Sequence, residues 1–162
     1  MAVAIRPATA ADHEAVWGIM EPIIREGGTY SLPRDMSRED ALAHWFAPDR
    51  SVFVADEGGE IIGTYYLRAN RPGPNAHVSN AGFMVSDKAG GKGVGQALCE
   101  HALSTARARS FAAMQFNFVV AANDRAVRLW RRMGFAEIGR APDAFRHPRL
   151  GLVDALVMYR KL

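Results

Sequence analysis

At 162 residues, with 49% hydrophobic and 23% charged residues, the chain is long enough to bury a core and is expected to form a single domain over residues 1–162. Its formal net charge of +3 is spread along the chain without a basic tract, which suits a small anionic ligand and argues against nucleic acid as a partner. The single cysteine excludes an internal disulfide and favours a cytoplasmic protein. We predict neither membrane nor metal binding, because the sequence contains no leader pattern, no apolar run of bilayer length and no metal-ligand spacing.

The N-terminal residues predict a strand followed by a long helix. A short strand at residues 3–6 precedes a helix that Asp12 can cap and that ends at the glycine pair 27–28. The helix is amphipathic, with its apolar residues on one face: Val16, Ile19, Met20, Ile23 and Ile24.

A second helix and a β-hairpin come next. An acidic residue three positions after Ser37 forms a capping-box pattern, which predicts a helix over residues 37–46. Two strands at 51–56 and 61–68 flank the glycine turn 58–59, as expected for a hairpin.

The middle of the chain predicts two strands separated by a helix. A proline- and glycine-containing loop at 70–76 leads into a strand at 77–85, which runs into the glycine-rich turn AGGKGVG. A helix at 94–109 follows. The strand at 114–121 is apolar on both faces, which is typical of a central strand.

The last elements are a helix and two strands. Asn123 begins the helix and Gly134 ends it, and its apolar stripe consists of Ala126, Leu129, Trp130 and Met133. Strands follow at 135–140 and 153–160. This order of elements predicts an α/β domain with a mixed, largely antiparallel sheet and helices on both faces.

The strongest chemical signal is the glycine-rich turn. Glycines allow the backbone to approach a ligand closely, and the first N–H groups of the following helix are unpaired and carry the positive end of its dipole. A pyrophosphate fits such a site, and Lys88 and Lys92 add charge. The turn lacks the GK[ST] ending of a P-loop and is not followed by tandem βαβ units, which excludes those two nucleotide-binding classes; a turn without ligand stays the alternative. The residues assigned to pyrophosphate binding are Gly90, Gly91, Lys92, Gly93, Val94, Gly95 and Gln96.

These motifs resemble those of the GNAT acetyltransferase superfamily. Residues 93–96 (GVGQ) match the core of its [QR]xxGxG[GA] motif, and residues 123–135 are similar to its "N…A…LY…GF" segment. The opening IRPATAAD also resembles that family. The resemblance implies a sheet of about seven strands flanked by about four helices, acetyl-CoA as co-substrate and, by analogy alone, a homodimer.

Two positions depart from the family pattern. Gly90 stands where Arg or Gln is usual, which removes one pyrophosphate contact. Trp130 stands where a tyrosine serves as general acid, and an indole N–H does not release its proton in this pH range. The resemblance therefore assigns Asn123 and Trp130 to the region around acetyl-CoA but names no general acid.

A narrower resemblance concerns the acceptor. Residues 77–83 (HVSNAGF) and 116–119 (FNFV) look like segments of proline-analogue N-acetyltransferases, which acetylate azetidine-2-carboxylate and related cyclic amino acids. In that branch, Asn residues on these strands hold the substrate carboxylate, and the match falls on Asn80 and Asn117. Tyr30 lies in a loop that lines the acceptor pocket in GNAT proteins.

The mechanism that we favour is direct transfer. Acetyl-CoA is expected between strands 77–85 and 114–121, with a backbone N–H among Phe83, Met84 and Val85 polarising the thioester carbonyl. The acceptor amine loses a proton to a water held by Asn80 or backbone carbonyls, and the thiolate leaves to water. Asn80 and Asn117 are the predicted catalytic residues.

The acceptor itself is left open by the sequence. We favour the primary or secondary amine of a small molecule. A protein N-terminus or lysine is a second hypothesis with the same fold. A non-catalytic acyl-CoA-binding module is a third, suggested by Gly90 and Trp130.

Overall fold

The computed structural model describes residues 2–162, which form seven strands and four α-helices, as predicted. The strands are β1 (Ala4–Pro7), β2 (Ser51–Glu57), β3 (Glu60–Ala69), β4 (Val78–Val85), β5 (Ala113–Val120), β6 (Ala136–His147) and β7 (Gly151–Lys161). The helices are α1 (His13–Glu26), α2 (Arg38–Trp45), α3 (Val94–Ala108) and α4 (Asp124–Arg132).

One sheet in the order β1-β2-β3-β4-β5-β7-β6 contains all seven strands. Every neighbouring pair is antiparallel except β4 and β5, which are parallel. Within the described residues these two strands pair only at Val78 with Ala113 and Ser79 with Met114. Beyond those positions they part, and a gap opens toward their carboxyl ends. The strand order and directions confirm the predicted mixed, largely antiparallel sheet.

Helices cover both faces of the sheet. On one face α1 and α2 pack Val16, Met20 and Trp45 against Val54 and Met84. On the other face α3 and α4 pack their apolar residues against the central strands, and these include Leu98, Ala102, Val127 and Trp130 on the helices and Leu67, Met114 and Phe116 on the strands. The two layers fix the positions of β4 and β5 on either side of the gap.

Asp12 occupies the N-cap position of α1, as predicted, but its side chain makes no capping hydrogen bond to the helix. Asp12 has helical dihedral angles and lies at the end of a short 3₁₀ turn whose cap is Thr9. Its carboxylate accepts hydrogen bonds from the Thr9 backbone N–H at 2.7 Å and from two guanidinium nitrogens of Arg6 at 2.9 Å. The bonds from Arg6 lower the pKa of Asp12 to about 2.

Two C-terminal elements also differ from expectation. The sequence predicts that the strand ends at residue 140, but β6 continues to His147. A bulge between Ala141 and Phe145, with Asp143 in the left-handed region, accommodates the intervening residues without ending the strand. In α4, Val127 is buried, whereas Ala126 of the predicted stripe is only partly buried.

Candidate functional site

A cavity of about 940 Å³ occupies the gap between β4 and β5. Its wall consists of residues from β3, β4, β5 and α4, together with the turn before α3 and the loop after α1. One end therefore meets the glycine-rich turn, and the other meets Tyr30, Arg50 and Arg68. The two ends have different chemistry.

The backbone of β4 presents unpaired groups to this cavity. The N–H of Ser86 donates to the Ile62 carbonyl on β3 at 2.9 Å, so by strand alternation Phe83 and Val85 direct their N–H and C=O groups into the gap. The hydroxyl of Tyr30 donates to the Phe83 carbonyl at 2.7 Å. Burial holds the pKa of Tyr30 well above its usual range, so the hydroxyl stays protonated and acts as a donor. The Phe83 N–H is left facing the gap.

Met84 and Val94 are placed differently from the other predicted cofactor residues. Both line the cavity, but each side chain is 2% exposed. Met84 packs beneath α1 and α2 and turns its backbone groups toward β3. Its contribution is therefore to the shape of the wall and not to a hydrogen bond.

The glycine-rich turn provides an open approach to the N-terminus of α3. Gly93 is the N-cap, has a φ of 70°, and a Cβ added there meets no atom within 4 Å. Gly95 packs closely on α4, where an added Cβ would lie 3.3 Å from Leu129. Gly90, Gly93, Gly95 and Gln96 all line the cavity. A pyrophosphate oxygen can reach the free helical N–H groups because no side chain intervenes.

Two of the assigned turn residues do not face the cavity. Gly91 and Lys92 are absent from its lining, and the Lys92 ammonium lies 2.7 Å from the Glu57 carboxylate on the neighbouring hairpin. Lys92 therefore stands beside the site with its charge already paired.

Three arginines on α4 line the same end of the cavity and were not predicted from the sequence. Arg125, Arg128 and Arg132 follow an i, i+3, i+7 spacing, which places them along one face of the helix. Asn123 begins that helix and accepts a hydrogen bond from the Ala126 N–H at 3.3 Å, so it both caps α4 and borders the cavity. Positive charge near the turn suits phosphate groups.

Trp130 lies where an aromatic cluster meets the cavity. It is 9% exposed, and its ring centroid lies 5.0 Å from that of Phe83 and 4.8 Å from that of Phe116. The core position predicted for Trp130 is confirmed. Its packing also holds Phe83, the residue whose N–H faces the gap.

Asn80 and Asn117 are brought to the same cavity, one from each side of the gap. The Asn80 amide donates to the Gln115 carbonyl at 2.9 Å and accepts from Arg68 at 3.1 Å. The Asn117 amide donates to the Asn70 side chain at 2.6 Å and accepts from Gln115 at 3.0 Å. Each amide nitrogen retains a second N–H.

His44, Arg50 and Arg68 border the acceptor end and were also missed. The Nη1 atom of Arg50 lies 3.4 Å from Nε2 of His44. A guanidinium can only donate, so Nε2 is the acceptor and His44 is neutral. Burial, and then the charges of Arg50 and Arg68, lower the pKa of His44, in agreement with that assignment.

The free energy of unfolding should fall as the pH is lowered below about 6.5, the ordinary pKa of histidine. Burial lowers the pKa of both His44 and His101, so below this pH the unfolded chain binds more protons than the folded one. Their contribution is complete above the unfolded pKa and is lost as the pH falls through the folded pKa. Urea unfolding at pH 7.5 and 5.5 measures it, and His44→Gln should reduce the difference. An undiminished difference in a His44→Gln/His101→Gln variant would contradict this assignment. The carboxylates whose pKa is lowered in the folded protein change the free energy of unfolding only at a still lower pH, where the carboxylates of the unfolded chain take up protons.

No group of three or more His, Cys, Asp or Glu side chains is arranged to hold a metal ion in residues 2–162. No helix of the described chain is long and apolar enough to cross a membrane. Cys99 is buried inside α3, and burial raises the pKa of its thiol to about 12, which keeps it protonated and unreactive.

Comparisons with known proteins agree with this geometry. The sequence model of the acetyltransferase (GNAT) family matches residues 17–135. The N-acetyltransferase aca1 of Schizosaccharomyces pombe is 32% identical over 151 residues, covering 83% of this chain and 72% of that protein. A GCN5-related N-acetyltransferase from Kribbella flavida has a similar structure, with a TM-score of 0.95, 41% identity and 99% and 98% of the two chains covered. The ribosomal-protein-alanine N-acetyltransferase from Brucella melitensis has a TM-score of 0.84 at 25% identity, covering 98% and 99%. The chain therefore belongs to the GNAT acetyltransferase family, in which acetyl-CoA is the co-substrate of acyl transfer.

Proposed function

We propose that the protein transfers the acetyl group of acetyl-CoA to the primary or secondary amine of a small molecule, with a cyclic amino acid as the leading candidate. The observation that carries this proposal is the continuity of one cavity from the glycine-rich turn to a confined, cationic end. Acetyl-CoA supplies the activated acyl group as a thioester. The residues of the chain bind and orient the two substrates and exclude water from between them.

The confinement of the acceptor end supports a small molecule. The loop after α1 is fastened over β4 by the Tyr30 hydroxyl bond to Phe83. The turn between β6 and β7 reaches the end of α1, where Arg149 pairs with Glu26 at 2.8 Å. Tyr30 lines the cavity, so the loop that its hydroxyl fastens forms part of the cavity wall, which favours a small acceptor over an extended polypeptide.

Two parts of the chain position the reactants. The N-terminus of α3 at Gly93 and Gly95 holds the pyrophosphate, and the Phe83 N–H donates to the thioester oxygen as negative charge develops there. The acceptor amine attacks from the side of Asn80. Holding it beside the thioester replaces an encounter in solution with a fixed orientation, which lowers the barrier.

The acceptor must lose a proton before attack. For an amine with a pKa near 10 this costs roughly 4 kcal/mol at neutral pH. β4 carries no carboxylate, and the one acidic residue that lines the cavity within residues 2–162, Asp87, follows β4 near the glycine-rich turn. His44 uses its free nitrogen to accept from Arg50. We therefore assign the proton to a water held near Asn80.

Replacing Asn80 or Asn117 by alanine should reduce kcat/KM for a cyclic amino acid about tenfold or more, which corresponds to roughly 1.4 kcal/mol. The reason is that an amide N–H bonded to a carboxylate is charge-assisted and stronger than a neutral hydrogen bond. The loss should disappear with an amine that lacks the carboxylate. Steady-state kinetics with both acceptors check this prediction. Unchanged kinetics in both variants would contradict the assignment of the two amides to the acceptor site.

A thiol-release screen over amino acids, proline analogues, polyamines, aminoglycosides and peptides tests the function itself. Release with a small amine, and above all with a cyclic amino acid, is the expected result. Release with peptides alone would favour a protein acceptor, the activity named for the Brucella melitensis neighbour. Binding of acetyl-CoA without thiol release from any amine would indicate a non-catalytic acyl-CoA-binding module.

A further inference from the structure

The acceptor end of the cavity contains an arginine whose charge is poorly satisfied. Arg50 lies between α2 and β2, and its side chain is only 10% exposed. Its guanidinium lies 4.2 Å above the ring centroid of Tyr66 and contacts His44 through Nη1. Its Nε atom is buried and has no hydrogen-bond partner among residues 2–162. A buried, unpaired N–H on a charged group is costly unless a ligand satisfies it.

A second guanidinium stands beside the first. Arg68 is on β3, one position beyond the cross-strand pair of Ser51 with Leu67, and therefore opposite Arg50. Its side chain is 23% exposed, and its Nε donates to Asn80 at 3.1 Å. Like charges on opposite strands repel one another, and the repulsion grows as water is excluded.

The counter-charge at this end is incomplete. Asp49 is the nearest carboxylate to both arginines, and its oxygens lie 3.8 Å from Nε of Arg50 and 3.9 Å from Nη1 of Arg68. Those separations exceed hydrogen-bond length, and Asp49 is 62% exposed and lies outside the cavity lining. Among the described residues, no carboxylate lines the acceptor end. Two guanidinium groups thus share one solvated carboxylate.

We propose that Arg50 and Arg68 form an anion site that binds the carboxylate of the acceptor amino acid. This inference rests on the proposed function and names its substrate class: small amino acids with a free carboxylate. A guanidinium presents parallel N–H donors that match the two oxygens of a carboxylate, and the negative charge of the ligand would complete the counter-charge that Asp49 supplies only in part. Besides the carboxylate contact proposed above, Asn80 positions Arg68, because its oxygen accepts a hydrogen bond from Nε of that side chain.

The location of the pair agrees with a role toward the acceptor and not toward the cofactor. Arg68 is paired with Asn80 in the register of β3 and β4, next to the point where β4 and β5 part. Val85, at the end of β4 near the glycine-rich turn, is five residues away, roughly 17 Å along a strand. An anion at the arginines would therefore place a neighbouring amine near the apex of the gap.

The test measures binding separately from turnover. Isothermal titration calorimetry, with coenzyme A present, compares L-azetidine-2-carboxylate with its carboxamide on the parent protein and on Arg50→Gln, Arg68→Gln and Arg50→Lys. We expect the acid to bind the parent about 30-fold or more tightly than the carboxamide, and each Gln variant to lose the same factor for the acid only. Arg50→Lys should bind the acid with intermediate affinity, since lysine keeps the positive charge but lacks the planar pair of N–H donors. Arg38→Gln, which removes an exposed arginine paired with Glu14 on the outer side of α2, is the matched control and should bind like the parent.

Each result decides the proposal. Equal affinity of the parent for acid and carboxamide would overturn it, and so would folded Gln variants that bind the acid as tightly as the parent. If the Gln variants do not fold, the parent comparison and Arg50→Lys decide. The kinetic readout is a rise in KM for the acid with little change in kcat and an unchanged KM for acetyl-CoA. Arginine-dependent binding of the acid without acetylation of any small amine would uphold the anion site and contradict the proposed function.

Discussion

Replacing Gly93 by valine is expected to abolish the thermal stabilisation that acetyl-CoA confers on the parent protein. Acetyl-CoA at 100 times its Kd stabilises a folded protein by about 2.7 kcal/mol, which for a chain of this size raises Tm by roughly 5–11 °C. The Cβ of a residue at 93 meets no protein atom within 4 Å, so the valine side chain would occupy space in front of the first N–H groups of α3. Differential scanning fluorimetry with and without acetyl-CoA measures the effect.

Backbone strain must be separated from obstruction of the ligand. Gly93 has a φ of 70°, and a β-branched residue is strained there whatever space it finds. Gly151 provides the matched control, because its φ is 74°, an added Cβ also meets nothing within 4 Å, and it lies outside the cavity lining. Gly151→Val should lower Tm and keep the full shift with acetyl-CoA. A retained shift in Gly93→Val and in Gly95→Val would remove the pyrophosphate from this turn.

The elements of the fold were predictable because they depend on local signals. The side chain of Ser37 accepts from the Asp40 N–H at 3.1 Å, as the capping-box pattern indicates, and α1 ends at Gly27 with a φ of 75°. Asp12 shows where local signals are insufficient. It occupies the cap position of α1, but its carboxylate accepts hydrogen bonds from Arg6, on the adjacent strand, and from Thr9 instead of from helical N–H groups.

The candidate site was predictable only where a short motif carries it. Gly93 and Gly95 could be found because a phosphate cradle needs glycine immediately before a helix. Arg50 and Arg68 could not, since their proximity depends on the register of β2 against β3, and neither lies in a motif. Pairing the predicted hairpin outward from its glycine turn places Arg50 opposite Leu67, and only the bulge between Ala55 and Asp56, which shifts the register by one residue, brings Arg68 opposite Arg50.

Replacing Trp130 by alanine should cost about 3–5 kcal/mol in the free energy of unfolding, because the deleted indole is almost fully buried and leaves a cavity among Phe83, Phe116 and Phe135. Urea unfolding measures the loss. Trp17→Ala is the control, since Trp17 on α1 is only partly buried and packs in the other layer, and a smaller loss is expected there.

Trp130→Phe separates packing from chemistry at the same position. Phenylalanine keeps an aromatic ring beside Phe83 and removes the indole N–H, which cannot act as an acid at neutral pH, together with part of the ring volume. The variant should therefore retain most of the parent's turnover rate, with a pH profile of the same shape. If a folded Trp130→Phe protein instead turned over roughly 100-fold more slowly, the change would correspond to about 2.7 kcal/mol of transition-state stabilisation. That result would mean that the N–H donates to the leaving thiolate, and the departure of the thiolate to water would then be wrong.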